Sequence, residues 1–100
     1  MKKDKRSTIV VTEDYKEVFE KLKTIGFNFA VVSKNAIDEA IDTGMPIPGR
    51  VSTTPAGMTI GVLVSAKNAD KLDELTKPLG AKAAYIQEAI KKYAERNNIL

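Results

Sequence analysis

The sequence predicts a mainly α-helical fold built around one two-stranded antiparallel ribbon, in the order β-α-α-β-α-α. Three observations predict it. "AIDEAI" at residues 36–41 returns 49 positions later as "YIQEAI" at residues 85–90, and self-similarity at a fixed spacing marks a duplicated structural unit. Each copy follows a β-branched run and then a charged amphipathic run. Between the halves, residues 45–57 ("MPIPGRVSTTPAG") hold three of the four prolines and two glycines, a density of breakers that no helix survives. One strand and two helices cannot bury their own apolar faces, and a single strand has no ladder partner. Two copies solve both problems, with the strands paired into a ribbon and four helices closing a shared core. The chain thus divides into a basic arm (1–6), a divergent first unit (7–44), a connector (45–57) and a second unit (58–100).

The elements follow in order. "STIVVT" (residues 7–12) is β-branched and lacks helix formers, so it reads as a strand. Thr12 is a candidate N-cap, with Glu13 and Asp14 favoured in a first helical turn. Val18, Leu22 and Ile25, with Phe19 beside them, form the stripe of a helix over residues 15–25, closed by Gly26. "FNFAVVS" (residues 27–33) suits either a strand or a buried helical lead-in. Ser33 is read as the cap of a helix with Ala36, Ile37, Ala40 and Ile41 on one face, ended by Gly44. In the second half "MTIGVLVS" (residues 58–65) is a strand turning Ile60, Val62 and Val64 inward. Asn68 then caps a helix striped by Ala69, Leu72, Leu75 and Leu79. Pro78 stops that helix near Thr76 or in a tightened last turn. The final helix carries Ala83, Ile86, Ala89, Ile90, Tyr93 and Ala94 on one face, with Gln87, Glu88, Lys91, Lys92, Glu95 and Arg96 between them. The aromatics Phe19, Tyr85 and Tyr93 are expected in the core.

Composition narrows the function. The chain has no cysteine and no histidine, which removes disulfides, thiol chemistry, the usual zinc sites and the commonest general acid–base. The carboxylates are scattered at helical spacings, so the expectation is no enzyme and no cofactor. No apolar run approaches the roughly 20 residues of a membrane span, and the basic start is followed by no secretory apolar stretch; an intracellular, cytoplasmic protein is expected. The formal charge of +3 belongs entirely to residues 1–6, where Lys2, Lys3, Lys5 and Arg6 oppose Asp4. A basic arm attracts polyanions and makes binding salt-dependent.

Residues 58–96 resemble the ribbon-helix-helix DNA-binding fold of Arc-like and methionine-repressor-like regulators. An alternating strand, a Leu-rich helix, a Gly turn and "YIQEAIKKY" appear in that family's order. "RSTIVVTEDYKEVFEKLKTIG…NAIDEAI" looks like a second copy, with five extra residues at its turn: Gly26 to Ile37 is eleven positions, Gly80 to Ile86 six. The tandem arrangement is similar to that of some plasmid and archaeal-viral regulators. The resemblance implies a tandem ribbon-helix-helix pseudo-dimer that places its ribbon in the major groove of double-stranded DNA as a transcriptional regulator or repressor, associating further on DNA. Strand alternation puts Arg6, Thr8 and Val10, and Thr59, Gly61 and Leu63, on the outer face. Arg6 is the candidate for a bidentate guanine contact, and Thr8 and Thr59 for either hydrogen-bond role. Val10 and Leu63 suit thymine methyls, and Gly61 permits close approach. Few of these groups read bases, so DNA shape and phosphates carry a larger share. Phosphates are expected where each unit's second helix begins: Gly80, Ala81, Lys82 and Ala83 in the second copy, Ser33, Lys34 and Asn35 in the first. Lys2, Lys3 and Lys5 track the backbone alongside.

Two other readings stand beside this one. If "FNFAVVS" is a third strand, the chain is a small α/β module that binds protein or ligand without nucleic acid. An antitoxin is the other, for which the seven residues after Tyr93 leave little toxin-binding tail.

Overall fold

In the computed structural model, which describes residues 3–49 and 52–99, strand β1 (Lys5–Thr12) runs through a 3-10 turn (Glu13–Tyr15) into α1 (Lys16–Thr24). Helix α2 (Phe29–Thr43), strand β2 (Pro55–Val64) and helix α3 (Ala69–Thr76) follow, then a 3-10 turn (Lys77–Leu79) and α4 (Lys82–Arg96). The described residues are mainly helical, with one two-stranded antiparallel sheet.

The strands pair as the alternating patterns require. Lys5 stands opposite Val64, Thr8 opposite Gly61, Ile9 opposite Ile60 and Val11 opposite Met58. Thr12 then faces Pro55, so Ala56 and Gly57 are extra residues in β2, and Gly57 takes φ +80° in this irregularity. The strand therefore begins at Pro55, three residues before its expected start, because this break lets the chain resume pairing. Ile9, Val11, Ile60, Val62 and Val64 turn inward and are buried. They pack with Phe19 and Leu22 of α1, Ile37 and Ile41 of α2, Leu72 of α3, and Tyr85, Ile86 and Ile90 of α4.

Helix packing crosses the two halves. Helix α2 lies against β2 and α4, and α4 reaches back to β1. Arg96 at the end of α4 binds Glu39 of α2 at 2.8 Å. The radius of gyration, 12.6 Å, is close to the ~13 Å of a single 100-residue domain. The halves thus share one core.

Three local expectations change. Ser33 does not cap the second helix of the first half, which begins four residues earlier at Phe29. Asn28 is the cap, its side chain accepting the Val31 N–H at 3.3 Å. Phe27 and Phe29 stack edge-on at 5.2 Å, and Phe29 meets Phe19 at 5.7 Å. These contacts seat the extra turn on α1. "FNFAVVS" is thus a cap and a helical turn, and the third strand of the α/β alternative does not form. Asn68 occupies the N-cap position of α3 without making a side-chain cap bond; the Ser65 hydroxyl accepts its N–H instead, at 3.3 Å. Thr12 likewise makes no side-chain cap bond, being held in the ribbon opposite Pro55. The turn at Pro78 behaves as expected: α3 ends at Thr76, the chain tightens, and Gly80 closes it at φ +59°. Tyr93 is half-buried, whereas Phe19 and Tyr85 are fully enclosed. Among the described residues no helix is long and apolar enough to cross a membrane.

Candidate nucleic-acid interface

Five of the six positions expected on the outer face of the ribbon are exposed there. Arg6 faces Leu63 across the pair, Thr8 faces Gly61 and Val10 faces Thr59. Arg6, Thr8, Val10, Thr59 and Gly61 are exposed, while Ile9, Val11, Ile60 and Val62 between and beside them turn into the core. Leu63 departs from the expectation and is half-buried. Its N–H donates to the Ser33 hydroxyl at 2.9 Å, and its carbonyl lies 3.5 Å from the same oxygen. Both backbone groups therefore point off the ribbon edge, as in a non-hydrogen-bonded pair. Arg6/Leu63, Thr8/Gly61 and Val10/Thr59 alternate by two residues, so all three outward pairs are of this kind.

Gly61 has no intramolecular reason to be glycine. Its φ lies outside the left-handed region, and a Cβ built there meets no atom within 4 Å. Glycine inside a strand weakens it, having no side chain to pack.

The two expected phosphate sites differ. At α4, Gly80, Ala81, Lys82 and Ala83 do form a helix start. Ala81 is the N-cap with no side-chain cap bond, so the first-turn N–H groups keep the unsatisfied character of a helix terminus. The Lys82 ammonium is engaged with Asp73 at 3.0 Å, which reduces its value for an external phosphate. At α2 the expectation is corrected. Ser33, Lys34 and Asn35 lie in the second turn, not at the start, because the extra turn precedes them. Ser33 is fully buried and seals the β2 edge. Lys34 is bound to Asp4 at 2.9 Å, Asn35 is simply exposed, and the true terminus is capped by Asn28.

Of the basic arm, Lys2 lies outside the described residues. Lys3 and Lys5 are exposed and line a shallow hollow with Ala66, Ala69 and Asp70. Lys5 falls on the inward register of β1, so it leaves the ribbon on the side opposite Arg6. Asp4 fastens the arm: it accepts from the Lys34 ammonium and from the Ala66 N–H, both at 2.9 Å. The Lys34 hydrogen bond, and then the Ala66 N–H, hold the Asp4 carboxyl below its usual range; Asp4 in turn raises the Lys34 ammonium.

Two polar residues outside the expected apolar stripes are structural. Gln87 is fully buried, accepting the Thr12 N–H at 3.0 Å and donating to the Ala83 carbonyl at 3.1 Å. Asp38 receives the Ser65 hydroxyl at 2.5 Å and the Asn68 amide at 2.7 Å. The signal was available, since Asp38 and Gln87 hold the same place in "AIDEAI" and "YIQEAI". Among the described residues, no group of three or more acidic side chains is placed to hold a metal ion. Compared with models of protein families, with curated proteins and with solved structures, the chain matches none.

Proposed function

We propose that this chain is a tandem ribbon-helix-helix protein that binds double-stranded DNA by laying its ribbon in the major groove, acting as a transcriptional regulator. The observation that carries the reading is the uncovered outer face of the β1–β2 ribbon, on which Arg6, Thr8 and Thr59 present side-chain donors and acceptors around an unconstrained Gly61. A two-stranded ribbon is one of the two elements that the major groove admits. The reciprocal clasps support the tandem part: Asp38 of the first half holds the junction after β2, and Gln87 of the second holds the end of β1. Tyr15 of the first half adds a hydrogen bond to Glu88 of the second at 2.8 Å. Such exchange is what a dimer interface becomes when both protomers lie on one chain.

Arg6 reads guanine, and Thr8 and Thr59 read base edges or thymine methyls. The α4 terminus takes one phosphate, and Lys2 and Lys3 take others, whereas Lys5 leaves the ribbon on the opposite side. The two flanks are unequal, because only one helix start is free, so the footprint is asymmetric. No chemistry on the DNA is part of the reading. The test is titration of the full chain on random-sequence and selected duplexes at several salt concentrations. With about three phosphates neutralised, log K should fall with log salt at a slope of roughly −2.7. A slope near zero would falsify the assignment.

A further inference from the structure

We propose that copies of this chain associate head to tail, the Leu79 turn of one seated in a hollow on α1 of the next. The hollow, about 500 Å³, is lined by Glu17, Glu20, Lys21, Thr24, Ile25 and Ile99. Ile25 is 59% exposed, and Leu79, in the Lys77–Leu79 turn, is 69% exposed, so each end shows an apolar side chain to water. Neither feature is duplicated. From Lys16 at the start of α1 to Ala69 at the start of α3 is 53 positions. At that spacing Phe19 matches Leu72, both fully buried, and Gly26 matches Leu79. The first half therefore has a glycine where the second projects its leucine. The matching hollow on α3 is lined by Asp70, Asp73, Glu74, Lys77 and Pro78. Lys77 and Pro78 stand there in the places of Thr24 and Ile25, and no lining residue corresponds to Ile99, so that hollow is polar where the first is apolar. Among the described residues each chain thus carries one apolar knob, at the end of α3, and one apolar hollow, at the end of α1.

Charge selects the same pairing. In the hollow Lys21 lies 3.9 Å from Glu17, and Glu20 has no ion-pair partner among the described residues. Beside Leu79 the Lys82 ammonium is held by Asp73 at 3.0 Å. The one charge within the turn itself is Lys77, which has no ion-pair partner among the described residues either. Knob into hollow brings that ammonium to the Glu20 carboxylate. A two-fold contact would instead set Lys77 against Lys77 or Glu20 against Glu20, and like charges reject a partner. A contact between unlike patches builds rows or rings of copies rather than two-fold dimers. One leucine and one ion pair fall short of the roughly 1,200 Å² of a stable complex, so the association belongs to high protein concentration. None of these residues lies on the ribbon, and the contact stands whether or not the ribbon meets DNA.

The test is sedimentation of the full chain at concentrations up to about 1 mM, the scale on which so small a contact is populated, with methyl NMR over the same range. The expected result is a mass that climbs past two copies of 10.9 kDa, with concentration-dependent shifts at Ile25, Leu79 and Ile99. Leu79→Ser and Ile25→Asp, each at an exposed position, should each abolish the rise. Mixed in equal amounts they should form a dimer and stop there, since one variant keeps the hollow and the other keeps the knob. Lys77→Glu should weaken association about fivefold, the effect of one exposed ion pair, and Glu20→Lys in the same chain should restore it. A mass of one copy at the top of the range, a plateau at two copies, or a rise that survives either apolar variant would each overturn the proposal. So would a mixture that stays monomeric although each variant gives the native spectrum, or a Lys77→Glu loss that Glu20→Lys does not repair.

Discussion

Replacing Gly61 with valine should move stability and DNA binding in opposite directions. The added side chain projects from the outer face opposite Thr8, where a Cβ meets no atom within 4 Å and the backbone is not left-handed. Folding therefore gains on two counts. The unfolded chain loses the extra freedom of glycine, about 0.5–1 kcal/mol. A β-branched residue also gains a cross-strand neighbour, about 0.2–1 kcal/mol. Together these are about 1 kcal/mol, or an increase of roughly 4–8 °C in Tm for a domain of this size. In the proposed DNA complex the same methyls would occupy the centre of the ribbon and hold it away from the base edges. Displacing the Arg6 fork alone should cost about 1–3 kcal/mol of discrimination, so specific affinity should fall at least about fivefold. Thermal unfolding by circular dichroism and anisotropy titration on a selected duplex read the two effects on one sample. A more stable variant with unchanged DNA affinity would refute the reasoning about Gly61. A less stable one would show that the glycine serves the fold.

Four further outcomes follow from the same geometry. Ser33→Ala leaves the half-buried Leu63 N–H without its acceptor and should cost about 1 kcal/mol in urea unfolding, while the salt slope of DNA binding stays unchanged; a slope smaller by ~0.9 with intact stability would restore Ser33 to the phosphate contacts. Gln87→Leu keeps the volume but strands the Thr12 N–H, with a loss of about 1–3 kcal/mol by calorimetry. Arg6→Ala should flatten the preference among duplexes more than it weakens binding to random DNA, as measured by competition titration. Because the Asp4 carboxyl is held low by Lys34, its contribution is complete above the ordinary value of ~3.9 and is lost as pH falls through its depressed native value. Carboxyl-carbon NMR should show the Asp4 midpoint moving up in Lys34→Ala, and an unmoved midpoint would exclude the pair in solution.

The ribbon was legible because period-2 alternation fixes the face: Ile9, Val11, Ile60, Val62 and Val64 turn to one side, whereas the register, which a two-residue slip would leave on the same faces, is visible only in the structure. Helices with continuous stripes, such as α4, were legible for the same reason at period 3.6. The start of α2 was not. Asn28 sits inside an aromatic and β-branched run, where an Asx cap cannot be told from a strand residue by composition. The decision comes from Phe27 and Phe29 finding Phe19 across the turn, a tertiary contact. The Thr12 and Asn68 caps failed similarly. Their side chains had the right chemistry, but the ribbon holds Thr12 and Asp38 claims Asn68.

The structural roles of Gln87 and Asp38 bear on the proposed tandem architecture. An apolar stripe says where the core lies but not which polar residue beside it is enclosed. Both residues stand third in the repeated hexapeptide, and each reaches the strand–helix junction of the other half. They use different chemistry: a neutral amide serves a backbone donor in one half, and a carboxylate serves a hydroxyl and an amide in the other. The acid can be tolerated because Asp38 is half-exposed and doubly hydrogen-bonded, whereas Gln87 is enclosed and a carboxylate there would be desolvated against the Ala83 carbonyl. Gln87→Glu should therefore destabilise more at pH 7 than at pH 4, where the introduced acid is protonated and can donate to Ala83 as the amide does. Urea midpoints at the two values, each measured against wild type, read the difference. Equal losses at both pH values would mean that Gln87 is not enclosed, and the reciprocal clasp would lose one of its two arms.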